Sequence, residues 1–153
     1  MGLSLNRTDV VPQLEKGLLF ERSRLFELGT TFDCAGADLA RVAIQVLGRS
    51  SAGWWECDLP SNALTWTTGV YDIFGLPRAS RVSRDEAAAL YCEDSRAVME
   101  RLRGYAIDHA TGFVLDARIR PANGERERWM RLIGAPLCEG GRTVGLYGLK
   151  IAI

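Results

Sequence analysis

The sequence predicts an α+β fold: a five-stranded antiparallel sheet with helices on one face, preceded by an N-terminal helical extension. Three observations predict it. Apolar residues recur at helical spacing through the first 50 positions. From Gly53 the texture changes to short β-prone runs punctuated by turn residues. One longer amphipathic stretch then separates two such runs from three more. The order strand, strand, short helices, longer helix, three strands is that of a sheet with its helices segregated to one side.

In the extension, Leu14, Leu18, Leu25 and Leu28 recur at helical spacing between Val11 and Gly29, with Leu19 and Phe26 widening the stripe. Pro12 suits a first helical turn and Gly29 a helix end. A second helix is expected from Asp38 to Gly48, with Leu39, Val42, Val46 and Leu47 as its apolar face. The boundaries expected are 1–50 for the extension and 51–153 for the domain.

Within the domain, Trp54 to Leu59 reads as a strand, Asn62 as a turn and Leu64 to Thr68 as the returning strand. Short helical pieces are expected over Val70–Phe74 and Arg84–Leu90. Asp94 is a good N-cap for a helix running to His109, with Val98, Leu102, Tyr105 and His109 on one face. Phe113 to Arg120 alternates apolar and polar residues, the period of a half-buried strand. Asn123-Gly124 and Gly140-Gly141 mark turns, and Trp129 to Leu137 and Thr143 to Ile151 read as the last two strands.

Composition narrows the function classes. The chain has 153 residues, 47% hydrophobic and 25% charged, as expected of one globular domain with a real core. Lys plus Arg and Asp plus Glu both total 19, so net charge gives no reason to expect nucleic acid as a partner. Arg118, Arg120, Arg126, Arg128 and Arg131 lie close together and read as a solvated face. Cys34, Cys57, Cys92 and Cys138 are widely spread, without C-x-x-C or zinc-like spacing. They read as free thiols of a reducing cytoplasm. No stretch has the length and apolarity of a membrane helix, and no signal peptide is evident.

Six short motifs, in order, resemble the PAS family, in the subtype found beside bacterial histidine kinases and diguanylate cyclases. Gly53-Trp54-Trp55-Glu56-Cys57-Asp58-Leu59 is similar to G-x-W-E-W-D-L. Leu64-Thr65-Trp66 is similar to L-x-W-S, and Tyr71-Asp72-Ile73-Phe74-Gly75-Leu76-Pro77 to Y-x-I-x-G-L-P. Glu93-Asp94 with Arg96 resembles H-P-E-D-R, Asp116-Ala117-Arg118-Ile119 resembles E-Y-R-I, and Asn123-Gly124-Glu125 with Arg128-Trp129 resembles D-G-x-x-R-W. The resemblance spans about two-thirds of the chain, Gly53 to Ile153. Four departures stand out. Tyr91-Cys92 replaces His-Pro, and Cys57 replaces a second Trp. Arg128-Trp129 lies one residue further from the turn, which implies a longer hairpin or a bulge. Ala152-Ile153 stands where the family continues D-I-T, so the chain is expected to be either a stand-alone sensor or a part of something longer.

The resemblance implies a sensory domain rather than an enzyme, with a pocket between the sheet and the long helix. Val98, Met99, Leu102 and Tyr105 of the helix and Leu115, Ala117, Met130 and Leu132 of the strands are the expected lining. The same residues would equally fill a core. The cofactor is left unknown. Haem requires an axial ligand, for which His109 is the only histidine; at a helix C-terminus it is also explained by the dipole. The G-x-N-C-R-F-L-Q stretch of covalent flavin sensors is missing, while non-covalent flavin stays open.

The expected role is signal sensing through a small ligand or protein–protein contact, with a kinase, cyclase or other signalling partner. A ligand-free docking module is the first rival, and a small cavity enzyme the second. The enzyme reading lacks an Asp–His or Tyr–Asp pair and any phosphate loop, G-x-S-x-G or H-E-x-x-H motif. Adjacent Trp54 and Trp55 must face opposite sides of a strand, so one needs cover on the side away from the pocket. Two N-terminal helices exceed what one sheet face accommodates, so the Leu14, Leu18, Leu25 and Leu28 stripe is expected to form a homodimer.

Overall fold

A computed structural model describes residues 29–32, 39 and 51–153. The strands are β1 (Thr30–Phe32), β2 (Ala52–Asp58), β3 (Leu64–Trp66), β4 (Gly112–Ile119), β5 (Arg128–Glu139) and β6 (Arg142–Ala152). Among the described residues, the helices between β3 and β4 are α1 (Thr68–Phe74), α2 (Arg84–Ala89) and α3 (Glu93–His109). The sheet order is β1-β4-β5-β6-β2-β3 and every pairing is antiparallel. The sheet thus has six strands where the sequence reading has five. The addition is Thr30–Phe32, which pairs with Phe113 and its neighbours at the β4 edge. Three residues next to a helical pattern carry too little period-two signal to be read as a strand. The stripe of Leu14, Leu18, Leu25 and Leu28 lies outside the described residues.

The sheet is buried on both faces, and alternation along the strands divides its side chains between two cores. Phe113, Leu115, Ala117 and Ile119 of β4 and Met130 and Leu132 of β5 face the helices, where they meet Ile73, Phe74, Val98 and Met99. Ile133, Ala135, Leu149 and Ile151 face the other way and bury Leu39. Trp55 joins the helix-side core. Trp54 stacks on Tyr147 on the outer face, ring centroids 5.5 Å apart. The adjacent tryptophans therefore point to opposite faces, as the strand geometry requires.

Helix α3 begins one residue before Asp94, with Cys92 as its cap residue and no capping side chain. Its start is tied to β4 instead. The Cys92 amide donates to the Arg118 carbonyl at 2.9 Å, and the Arg118 amide donates to the buried Ser95 hydroxyl at 2.9 Å. Asp94 remains useful in the first turn, where its charge suits the helix dipole.

The β5–β6 hairpin turns at Gly140 and Gly141, whose φ values of 56° and 76° favour glycine. The additional residue before Arg128 is absorbed in the β4–β5 loop, since Ile119 pairs with Arg128 in regular register. The irregularity in β5 falls at Leu137/Cys138. The arginines of this region are largely ion-paired: Arg118 and Arg120 with Glu127, Arg128 with Glu125, and Arg131 with Asp116.

Candidate functional site

At the middle of the sheet β6 passes between β5 and β2, and Lys150 stands opposite Leu132 on one side and Gly53 on the other. Alternation puts it on the helix-facing side with Leu146 and Gly148, while Leu149 and Ile151 point outward. Its side chain consequently enters the core, and the residue is 6% exposed.

Four aromatic rings surround the Lys150 Nζ. It lies 4.7 Å from the ring centroid of Phe74, 5.5 Å from Tyr91, 5.6 Å from Trp55 and 5.7 Å from Trp66. Each ring has a local reason for its position. Trp55 pairs with Gly148, whose lack of a side chain leaves the indole room to donate from Nε1 to the Ile133 carbonyl at 3.1 Å. A Cβ at Gly148 would stand 1.8 Å from that same carbonyl oxygen. Trp66 stacks on Phe74 with centroids 5.2 Å apart. Tyr91 follows α2, whose start is fixed by a capping box between Ser83 and Glu86, and it bridges to Ile119.

The polar contact inside this cage is from Lys150 Nζ to the Tyr91 hydroxyl, at 3.1 Å. No ion pair to Lys150 exists among the described residues. Burial, partly opposed by Cys57 and reinforced by Arg84, pushes the Lys150 pKa down to about 7. Burial also raises the Tyr91 pKa, helped by Glu100 and opposed by Arg84, so the phenol stays protonated. The rings offset part of the cost of an unpaired ammonium, at roughly 0.5–2 kcal/mol for each well-placed one.

A cavity opens beside this cage, between the sheet and α2 and α3. Lys150, Trp55, Trp66 and Tyr91 line it. Met99, Leu132, Arg84 and Arg103 also line it. Arg84 is bonded to Glu100; Arg103 has no ion pair among the described residues. The space open to the centres of water-sized spheres is about 50 Å³, room for roughly three to five waters or a short organic molecule. Among the described residues, no carboxylate and no imidazole lines it.

The sequence-predicted lining is only partly brought together. Met99 and Leu132 line the cavity. Val98, Leu115, Ala117 and Met130 are buried in the adjoining core, and Leu102 packs against it half-buried. Tyr105 is 45% exposed and stacks on His109, with centroids 3.9 Å apart. The helix turns these two residues to solvent, so neither enters the cavity. His109 Nδ1 is 3.0 Å from the Tyr105 carbonyl, a local contact at the helix end that gives it no approach to a group held in the cavity. Lys150 and Arg84 were not legible as site residues. One signal was present: a lone lysine between Leu149 and Ile151, in register with Leu146 and Gly148.

The sheet, the helices gathered between β3 and β4, and the cavity beneath them define the PAS fold. Among solved structures, the sensory box histidine kinase/response regulator of Burkholderia thailandensis E264 superposes with a TM-score of 0.60 at 21% identity, over 74% of this chain and 84% of that one. The N-terminal domain of a diguanylate cyclase with PAS/PAC sensor from Marinobacter aquaeolei superposes at 0.60 and 16% identity, over 66% and 94%. An RNA-binding light-oxygen-voltage receptor superposes at 0.59 and 15% identity, over 67% of this chain but only 29% of the receptor. No protein-family model and no curated protein matches the sequence. Among the described residues, no helix is long and apolar enough to cross a membrane.

Proposed function

We propose that the chain is a sensory domain of a signalling system, binding a small molecule between sheet and helices without transforming it. The observation that carries this reading is the cavity walled by Trp55, Trp66, Tyr91 and Met99 over buried Lys150. Its walls are apolar with a few convergent polar groups, the usual character of a ligand site. A ligand there touches the central strand β6 and helix α3 together, so occupancy biases their packing, which a kinase, cyclase or other signalling partner can read.

The test is an absorbance spectrum and native mass of the purified protein, followed by amide chemical-shift mapping with a small-molecule library. A carried ligand, or perturbations centred on Met99, Leu132 and Tyr91 that vanish in Leu132→Trp, is the expected result. A protein with no bound mass and no library hit at the cavity would be a ligand-free docking module instead. A chromophore that Leu132→Trp leaves in place would put the binding site elsewhere.

The same reading includes a homodimer formed through Leu14, Leu18, Leu25 and Leu28. It rests on the apolar stripe alone, since each leucine kept from water contributes ~1.5–3 kcal/mol. Light scattering should show a dimer at micromolar concentration for the full chain and a monomer for Leu18→Glu/Leu25→Glu. A full chain that is monomeric, or a variant that dimerises as tightly, overturns this contact.

A further inference from the structure

Lys150 is a buried basic group whose Nζ makes one hydrogen bond among the described residues, to the Tyr91 hydroxyl. An ammonium has three N–H donors, and Tyr91 accepts one. The rings of Phe74, Trp55 and Trp66 meet the charge with their faces but accept no conventional hydrogen bond. Lys150 nevertheless lines a cavity that extends to Arg84 and Arg103. Among the described residues, the lining thus carries three basic side chains and no acidic one; Arg84 is paired with Glu100, and Arg103 has no ion pair.

We infer that the cavity takes a small carboxylic acid as its anion, with the carboxylate on Lys150 Nζ and its apolar body between Trp66, Met99 and Leu132. This rests on the ligand-binding reading above and narrows it to one chemical class. The carboxylate supplies what the site lacks. It pairs with the buried charge, accepts N–H donors left over after Tyr91, and draws on the positive field of Arg103, Arg84 being already paired with Glu100. The space limits the acid to a few carbons. A cationic ligand is disfavoured, because the aromatic cage is already filled by the protein's own ammonium.

The experiment uses the full chain at pH 6.5, with acetate, propionate and butyrate as probes. Acetamide, propionamide and butyramide serve as neutral isosteres and chloride as an anion control. Chemical-shift mapping locates each response, and the Lys150 side-chain ¹³Cε signal reports its titration. The expected result is saturable perturbation at the cavity by at least one acid and at least tenfold weaker binding of its amide. Lys150→Met should likewise bind that acid at least tenfold more weakly. In the unsubstituted protein, the bound acid should move the Lys150 titration midpoint upward by one pH unit or more, so the test stands even if Lys150→Met folds poorly. Amides that bind as well as acids would overturn the carboxylate assignment while leaving a ligand pocket. Acids that perturb only the arginine surface, or leave the Lys150 midpoint unmoved, would also overturn it. Silence of acids and amides alike, with no library hit at the cavity, would remove the pocket reading as well.

Discussion

Substituting Asp116→Ala is expected to cost roughly 3–5 kcal/mol of folding stability, one of the largest effects of any single change in this domain. The Asp116 carboxylate accepts from Arg131 Nε at 2.6 Å and from Nη2 at 2.7 Å, a two-point contact across neighbouring positions of β4 and β5. Their side chains are 5% and 3% exposed. Both lie on the outer face of the sheet. The pair itself is weak evidence for stability, because two buried charges lose most of what they gain by losing water. Removing one partner is different, since it strands the other charge in the protein interior. Arg131 Nη1 already lacks a hydrogen-bond partner, so the guanidinium has little else to turn to. Urea unfolding should show a large drop in midpoint for Asp116→Ala. Replacing both members by apolar residues, in Asp116→Leu/Arg131→Met, should recover most of the loss. The exposed pair of Arg78 and Asp72 serves as a control whose disruption should do little. An Asp116→Ala protein as stable as the parent would mean that Arg131 reaches water.

The second large effect is a pH dependence carried by Lys150. Its pKa is about 7 in the folded chain against 10.5 for an ordinary lysine. Below pH 7 both states hold the proton, and the cost of burying the charge is fully present. Between 7 and 10.5 the unfolded chain binds more protons, so stability rises with pH, by up to about 1.4 kcal/mol per unit. Above pH 10 the Tyr91 phenol, kept protonated by burial, acts in the opposite direction. The groups that act on or line the site beside Lys150 are Tyr91, Cys57, Arg84 and Arg103. All remain in Lys150→Met, so the difference between parent and variant isolates the lysine. The variant should be more stable than the parent at pH 6, and its advantage should shrink by about 2–3 kcal/mol by pH 9. Urea titrations at both values check this. An advantage that does not change with pH would show that Lys150 keeps its proton throughout.

Both effects trace to positions where a strand is buried on its two faces. The alternation of Phe113 to Arg120 is readable as a half-buried strand, and β4 lies where the pattern puts it. The pattern does not reveal that the polar side is buried too, with Asp116 inside it. The long helix is legible from its apolar face, and Met99 and Leu132 both line the cavity. Tyr105 shares the helical spacing of Val98 and Leu102, yet it lies on the solvent side of α3, while Ala106 one residue on is fully buried and Ile107 packs against the core. A period groups residues on one face, but does not fix which edge of that face turns to the sheet.

The α+β order, the helix between the two groups of strands, the turns at Asn62 and Gly140-Gly141, and the opposed tryptophans followed from the sequence. They depend on local spacing and backbone preference. Tertiary structure alone decided that Thr30–Phe32 joins the β4 edge, and that Leu39 fills the outer core. It alone decided that Lys150 stands within four aromatic rings drawn from β2, β3, α1 and the segment after α2. Those contacts join residues far apart in the chain, and a buried charge is set by what surrounds it from every side, which no local pattern records.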